Sequence, residues 1–160
     1  TFFIALIFSS ASNYLISKFN NTILLIVLCV IFIGIGILFD IIGTAVLTAN
    51  EASFHAKSAK KIKGSKEGVY LVKNSSTIAS ICNDVIGDIC GIVSGSIGAM
   101  LAINISTKLN VSTVIVTLLV SSIISSLTVG GKAIGKKQAI KNSDSIIFVA
   151  AKVLSKFKTK

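Results

Sequence analysis

The stretch from Thr22 to Ala49 reads TILLIVLCVIFIGIGILFDIIGTAVLTA, and a single charge, Asp40, interrupts it. A membrane-crossing α-helix needs roughly 20 predominantly apolar residues. In lipid every backbone N–H and C=O must be bonded within the protein, and a helix does this within one segment. The chain contains no proline, so no helix carries a proline kink. This run predicts a transmembrane helix and sets the fold class: an all-α integral membrane bundle.

Two further runs follow the same logic downstream. The stretch from about Thr77 to Ile105 is glycine-rich and contains Asn83, Asp84 and Asp88. A short polar loop is expected at Asn104 to Asn110. The next run, from about Val111 to Gly130, is β-branched and serine-rich. Upstream, Phe2 to Ile16 is shorter than a span needs, and Ser17 to Asn21 reads as a turn. Thr1 stands without an initiator Met or a basic leader, so the sequence reads as clipped at its start, and residues before it would complete that first span. Four spans are expected in all.

Composition agrees. The chain is 52% hydrophobic with a mean hydropathy of +0.88, more than a soluble domain of 160 residues carries. Its net charge of +10 comes from lysines, with no arginine. A basic chain can signal nucleic acid, but here the lysines sit between apolar runs and no aromatic–basic interleaving occurs. They point to anionic lipid headgroups instead, making the bilayer the expected partner and nucleic acid an excluded one. Cys29, Cys82 and Cys90 lie in apolar segments without CxxC or Cys/His spacing, and read as small hydrophobes.

The lysines also set the topology. Glu51 to Asn74 carries six of them and reads as two short juxtamembrane helices (about 51–73) around a Lys63-Gly64-Ser65 turn. The tail, 132–160, carries eight. Within it Ile146, Ile147, Ala150, Val153, Leu154 and Phe157 fall on one helical face, which predicts an amphipathic helix on the membrane surface. The transmembrane domain is therefore expected over 1–131 and the surface helix over 132–160. Fourteen lysines on one side against Lys18 and Lys108 on the other predict a multi-pass cell-membrane protein with both termini cytoplasmic.

Against this background the acids stand out. Charge at a helix centre costs roughly 2.5 kcal/mol or more on insertion scales. No lysine is expected inside the spans to neutralise Asp40, Asp84 and Asp88. Counting helical rise puts Asp40 roughly 13 Å deep, and Asp84 and Asp88 roughly 10 and 16 Å deep, in one layer. Asn83 adds an amide. Ser121, Ser122, Ser125 and Ser126 add hydroxyls at similar depth, although a serine in a membrane helix usually bonds its own backbone. Gly87 and Gly91 begin a GxxxGxxxG stripe ending at Gly95, suited to close helix packing or to a flexible transport helix. The expected metal ligands are Asp40, Asp84, Asp88 and Asn83, with Ser122, Ser125, Ser126, Gly87 and Gly91 in support. Such oxygens suit a hard cation such as Mg²⁺, as transported ion rather than resident cofactor. No nucleophile–base set is visible, so neither an enzyme nor an organic cofactor is expected. His55, among lysines, reads as a solvated interfacial residue.

Laid out this way, the chain resembles the transmembrane domain of the CorB/CorC and cyclin M magnesium/cobalt transporter family. The similarity rests on Phe39-Asp40-Ile41-Ile42-Gly43-Thr44-Ala45, on Lys73-Asn74-Ser75-Ser76 leading to Asn83-Asp84, and on Gly130-Gly131-Lys132-Ala133-Ile134-Gly135-Lys136. It covers about residues 22–158 and implies divalent-cation transport by a homodimer. The family pattern has Ser and Glu in the first stretch, where this chain has Asp40 and Gly43. It has Gly-Glu-x-x-Pro-Lys near the last, where this chain has Leu127-Thr128-Val129-Gly130-Gly131-Lys132. Only the asparagine carries over plainly, to Asn83, so the family's ligands do not transfer as a set. The family's CBS domains do not occur in these residues, and regulation would fall to a separate regulatory protein. The alternative expectation is a non-transporting scaffold or accessory subunit of the same fold. One variant probes the acid layer: Asp88→Asn is expected to abolish Mg²⁺-dependent thermal stabilisation in detergent, and unchanged stabilisation would remove Asp88 from the site.

Overall fold

The computed structural model describes residues 21–158 together with Phe3, Leu6, Ile7 and Ser10. The run Phe2 to Ile16 and most of the 17–21 turn fall largely outside the described residues, and with them the first of the four expected spans. The regular structure of the described residues is all helical, without strands, in seven α-helices and one π-helical segment: α1 Thr22–Thr48, α2 Glu51–Ala59, α3 Ser65–Lys73, α4 Ser75–Ser80, the π segment Ile81–Gly87, α5 Asp88–Leu109, α6 Thr113–Lys141 and α7 Ser143–Lys158. Three continuous helical stretches are long and apolar enough to cross a membrane: Thr22–Thr48, Ser75–Leu109 and Thr113–Lys141.

Polar residues mark the ends of these helices. Asn21 opens α1, its side-chain oxygen accepting from the Ile23 N–H at 3.1 Å. Asn50 caps α2 in the same way through the Ala52 N–H at 3.0 Å. Helix α5 continues through Asn104, where a loop is expected from sequence, and stops at Asn110. That residue adopts φ of +50°, a left-handed cap that asparagine tolerates better than most residues. The turn between α2 and α3 centres on Gly64, whose φ is +90°. An added Cβ there would stand 3.0 Å from the Lys152 backbone of α7, so both conformation and space demand glycine.

The chain folds as two compact units: Thr1–Ile37 with Val85–Gly131, and Leu38–Asp84 with Lys132–Lys160. Leu25, Cys29 and Ile33 of α1 form the core of the first with Val93, Ile97 and Leu101 of α5. Gly98 lets the Ile124 side chain of α6 approach, and Gly131 does the same for Ile37 of α1. At one end of this unit the Lys108 ammonium donates to Thr22 Oγ1 at 2.9 Å, tying the last turn of α5 to the start of α1.

The second unit is built around Phe54, which is fully buried among Ala45, Val46, Leu71, Val72, Ala139, Ile147 and Ala151. Its ring lies over Gly68. Lys57 stands 5.0 Å from the ring centres of Phe54 and Phe148, a cation–π bridge from α2 to α7. Asp144 in the first turn of α7 accepts from the Asn50 N–H at 2.8 Å.

One sequence expectation changes here. The last long helix does not end at Gly130: α6 runs on to Lys141, and the helix breaks at Asn142. Helix α7 turns Ile147 and Ala151 into the core of this unit, and leaves Val153 and Leu154, from the apolar face read in the sequence, exposed. Packing against α3 decides its orientation. Gly68→Val is expected to displace Phe54 and cost about 1–3 kcal/mol. Gly34→Ala meets open space and should stay within about 0.5 kcal/mol of the parent, both by thermal unfolding in detergent.

Candidate functional site

Buried positions along α1 run Leu25, Cys29, Ile33, Gly36, Asp40, Gly43, spaced by three or four residues. This is one helical stripe. Asp40 occupies a core position on it, only 3% exposed, and therefore points inward. Two lysines meet it. Lys132 Nζ lies 3.8 Å from Oδ1, and Lys136 Nζ lies 3.7 Å from Oδ2. They are one turn apart on α6 and reach Asp40 because α6 continues past Gly131. This corrects the expectation that no lysine is placed to neutralise Asp40.

The pairing is electrostatic rather than hydrogen-bonded. An ammonium–carboxylate hydrogen bond is about 2.7–2.9 Å long, and Asp40 Oδ2 makes no hydrogen bond at all. At ~4 Å, two unit charges attract by roughly 4 kcal/mol at an effective dielectric of 20. That matches the roughly 2.5–3.5 kcal/mol cost of holding a charge at a helix centre. The two ammoniums therefore offer this carboxylate opposite charge on both of its oxygens. They overshoot on charge, however: two ammoniums face one carboxylate.

Asn83 approaches α1 one turn further on. Its carboxamide oxygen packs where Gly43 lacks a side chain, and an added Cβ at Gly43 would collide with it. That oxygen is buried and has no hydrogen-bond donor. Asn83 sits in the π segment Ile81–Gly87. Such wider turns are rare and recur at functional sites. No proline or other local signal in the sequence marks this one. Two acceptor oxygens, on Asp40 and Asn83, are thus buried without donors beside one face of α1. An orphaned buried polar group costs about 1–3 kcal/mol, so each calls for an explanation.

The other acids behave differently. Asp84, in the same unit, is exposed, and its Oδ2 accepts from Ser80 Oγ at 2.6 Å. Asp88 is exposed at the start of α5, in the first unit. Gly87 is buried at the end of the π segment. Gly91 and Ser125 line a groove of about 320 Å³ in the first unit, with Ser94, Gly95, Thr117 and Ser121. Ser126 donates to the Ile123 carbonyl at 2.8 Å and Ser121 to that of Thr117 at 2.7 Å, the backbone bonding expected of serines in membrane helices. Ser122 is exposed. Asn104, not singled out in the sequence, has a buried side-chain nitrogen without an acceptor.

Among the described residues no three His, Cys, Asp or Glu side chains converge as metal ligands. A cation at Asp40 would draw its remaining ligands from amide, backbone or water oxygens. No family model, curated protein or solved structure matches this chain.

The Asn83–Gly43 contact can be tested directly. Gly43→Ala should drive the Asn83 amide off α1 and cost about 1–3 kcal/mol. Adding Asn83→Ala should recover part of that loss, giving a coupling energy of about 0.5 kcal/mol or more in a double-mutant cycle of thermal unfolding. Additive losses would show that the two residues do not share the contact.

Proposed function

We propose that this chain is a multi-pass membrane protein that carries a divalent cation, Mg²⁺ first among candidates, through a site centred on Asp40 and Asn83. The observation that supports it best is the pair of buried acceptor oxygens without donors, Asp40 Oδ2 and Asn83 Oδ1. One carboxylate plus one amide fits Mg²⁺, which keeps several of its waters and takes only one or two carboxylates. Asp84 and Asp88 stay in the proposal as the further ligands named from the sequence, each open to its own Asn variant.

The rest of the reading follows from the sequence: four spans, both termini cytoplasmic, a homodimer related in layout to the CorB/CorC and cyclin M transporters, and alternating exposure of the ion by rocking of the spans. A scaffold or accessory subunit is the second reading. The two lysines at Asp40 favour it, because an ion pair alone explains a charge kept at depth.

Purified protein in detergent decides between them. Mg²⁺ at about 100 times its dissociation constant should stabilise the parent by about 2.7 kcal/mol. Asp40→Asn should lose that shift, and proteoliposomes holding a Mg²⁺ dye should show flux above empty liposomes. No shift, together with flux at the empty-liposome level, favours the scaffold.

A further inference from the structure

We infer that Lys132 and Lys136 are tethered counter-cations that hold the ion's place at Asp40 and give it up when the ion enters. The inference rests on the proposed cation site and adds what controls it.

Three observations lead there. First, the charges do not balance. Two ammoniums face one buried carboxylate, each within 3.8 Å. A divalent ion added to that set would face two positive neighbours across one negative charge. Ion and ammoniums therefore exclude each other, and binding is a displacement. Second, both contacts are too long for a hydrogen bond, so neither lysine is locked in place. Third, the two lysines are unequal. The Lys132 side chain is 26% exposed and that of Lys136 is 51% exposed. The Lys136 head can leave by turning its flexible stem toward the open side, while Lys132 is the more enclosed of the two.

Lysine is the right residue type for this task. Its ammonium is a compact point charge on a four-carbon stem, a mobile stand-in for a metal ion. An arginine would grip the carboxylate as a bidentate fork and resist displacement. The arrangement leaves Asp40 paired when no ion is bound, so the ion-free protein avoids an uncompensated buried charge. It also sets the ion's affinity, because every binding event must expel an ammonium.

The test compares apparent Mg²⁺ affinity, from thermal stabilisation of the full chain in detergent, across the parent and five variants. Lys132→Met and Lys136→Met should each tighten Mg²⁺ binding, and the double variant should tighten it by at least tenfold. Lys132→Arg keeps the charge and the fold, and should weaken binding. Lys137→Met removes a neighbouring charge that does not contact Asp40, and should leave affinity within twofold. If the parent responds to Mg²⁺ but the methionine variants bind equally or more weakly, the displacement idea is wrong and the cation site stands. If Lys137→Met tightens binding as much as the other two, general electrostatics explains the effect and the idea is again wrong. Should the double variant be too unstable to measure, the arginine variant decides: unchanged or tighter binding overturns the inference. If no protein in the set responds to Mg²⁺, the cation site and this inference fall together.

Discussion

A carboxylate at a core position of an otherwise apolar helix is the constraint on which much of the second unit depends. Asp40 sits on the same stripe as Leu25, Cys29 and Ile33, so helical geometry alone turns it inward. Once buried it needs positive charge, and the only described groups that supply it are Lys132 and Lys136. They can do so only if α6 stays helical beyond Gly131. The extended α6 in turn places the chain break at Asn142. Ser143 and Asp144 then stand beside the end of α1, bonded to the Thr48 carbonyl at 3.4 Å and the Asn50 N–H at 2.8 Å. From that start α7 lays Ile147 and Ala151 against the core around Phe54.

The π segment answers a different demand. Asn83 must approach α1 closely, and Gly43 removes the side chain that would block it. The wider turn lies where that approach occurs. Yet the contact leaves the Asn83 oxygen without a donor. Folding alone has no use for such an atom, since an alanine pair would pack there without orphaning anything. Its contact with Gly43, one turn along α1 from Asp40, is why the proposed chemistry is placed at this part of α1 rather than at the acids with the greater exposure.

Long helices were legible in the sequence because lipid-scale apolar runs have few alternatives. The Gly64 turn was legible because glycine sat between two lysine-rich segments of helical length. Asp40 and Asn83 stood out as polar residues in apolar surroundings. What hydropathy could not show was partnership. Lys132 reads as the cytoplasmic end of a span, because an unpaired lysine belongs there. Paired with Asp40, it becomes part of the helix interior. Depth counted from helical rise placed Asp40, Asp84 and Asp88 in one layer. But rise carries no information on which way a side chain faces, and Asp40 is buried while Asp84 and Asp88 are exposed. For α7, likewise, apolar spacing shows which residues avoid water, and cannot say which of them pack into the core, as Ile147 and Ala151 do.

Most polar groups bond locally in both units, and a few buried ones stay unpaired, Asn104 in the first and Asp40 and Asn83 in the second. In the first, most described hydroxyls bond carbonyls of their own helix, as Ser94, Ser96, Ser121 and Ser126 do. Those bonds satisfy local needs and leave little for a ligand. In the second, Asp40, Lys132, Lys136 and Asn83 come from three separate stretches of the sequence and meet α1 within one turn. Bringing such groups together requires long-range folding, and their bonding is left incomplete at the end of it. A polar network that is expensive to assemble and still unsatisfied is poor as scaffolding. It makes sense where a further oxygen-seeking partner completes it, and that is the ground on which a cation in the second unit is proposed.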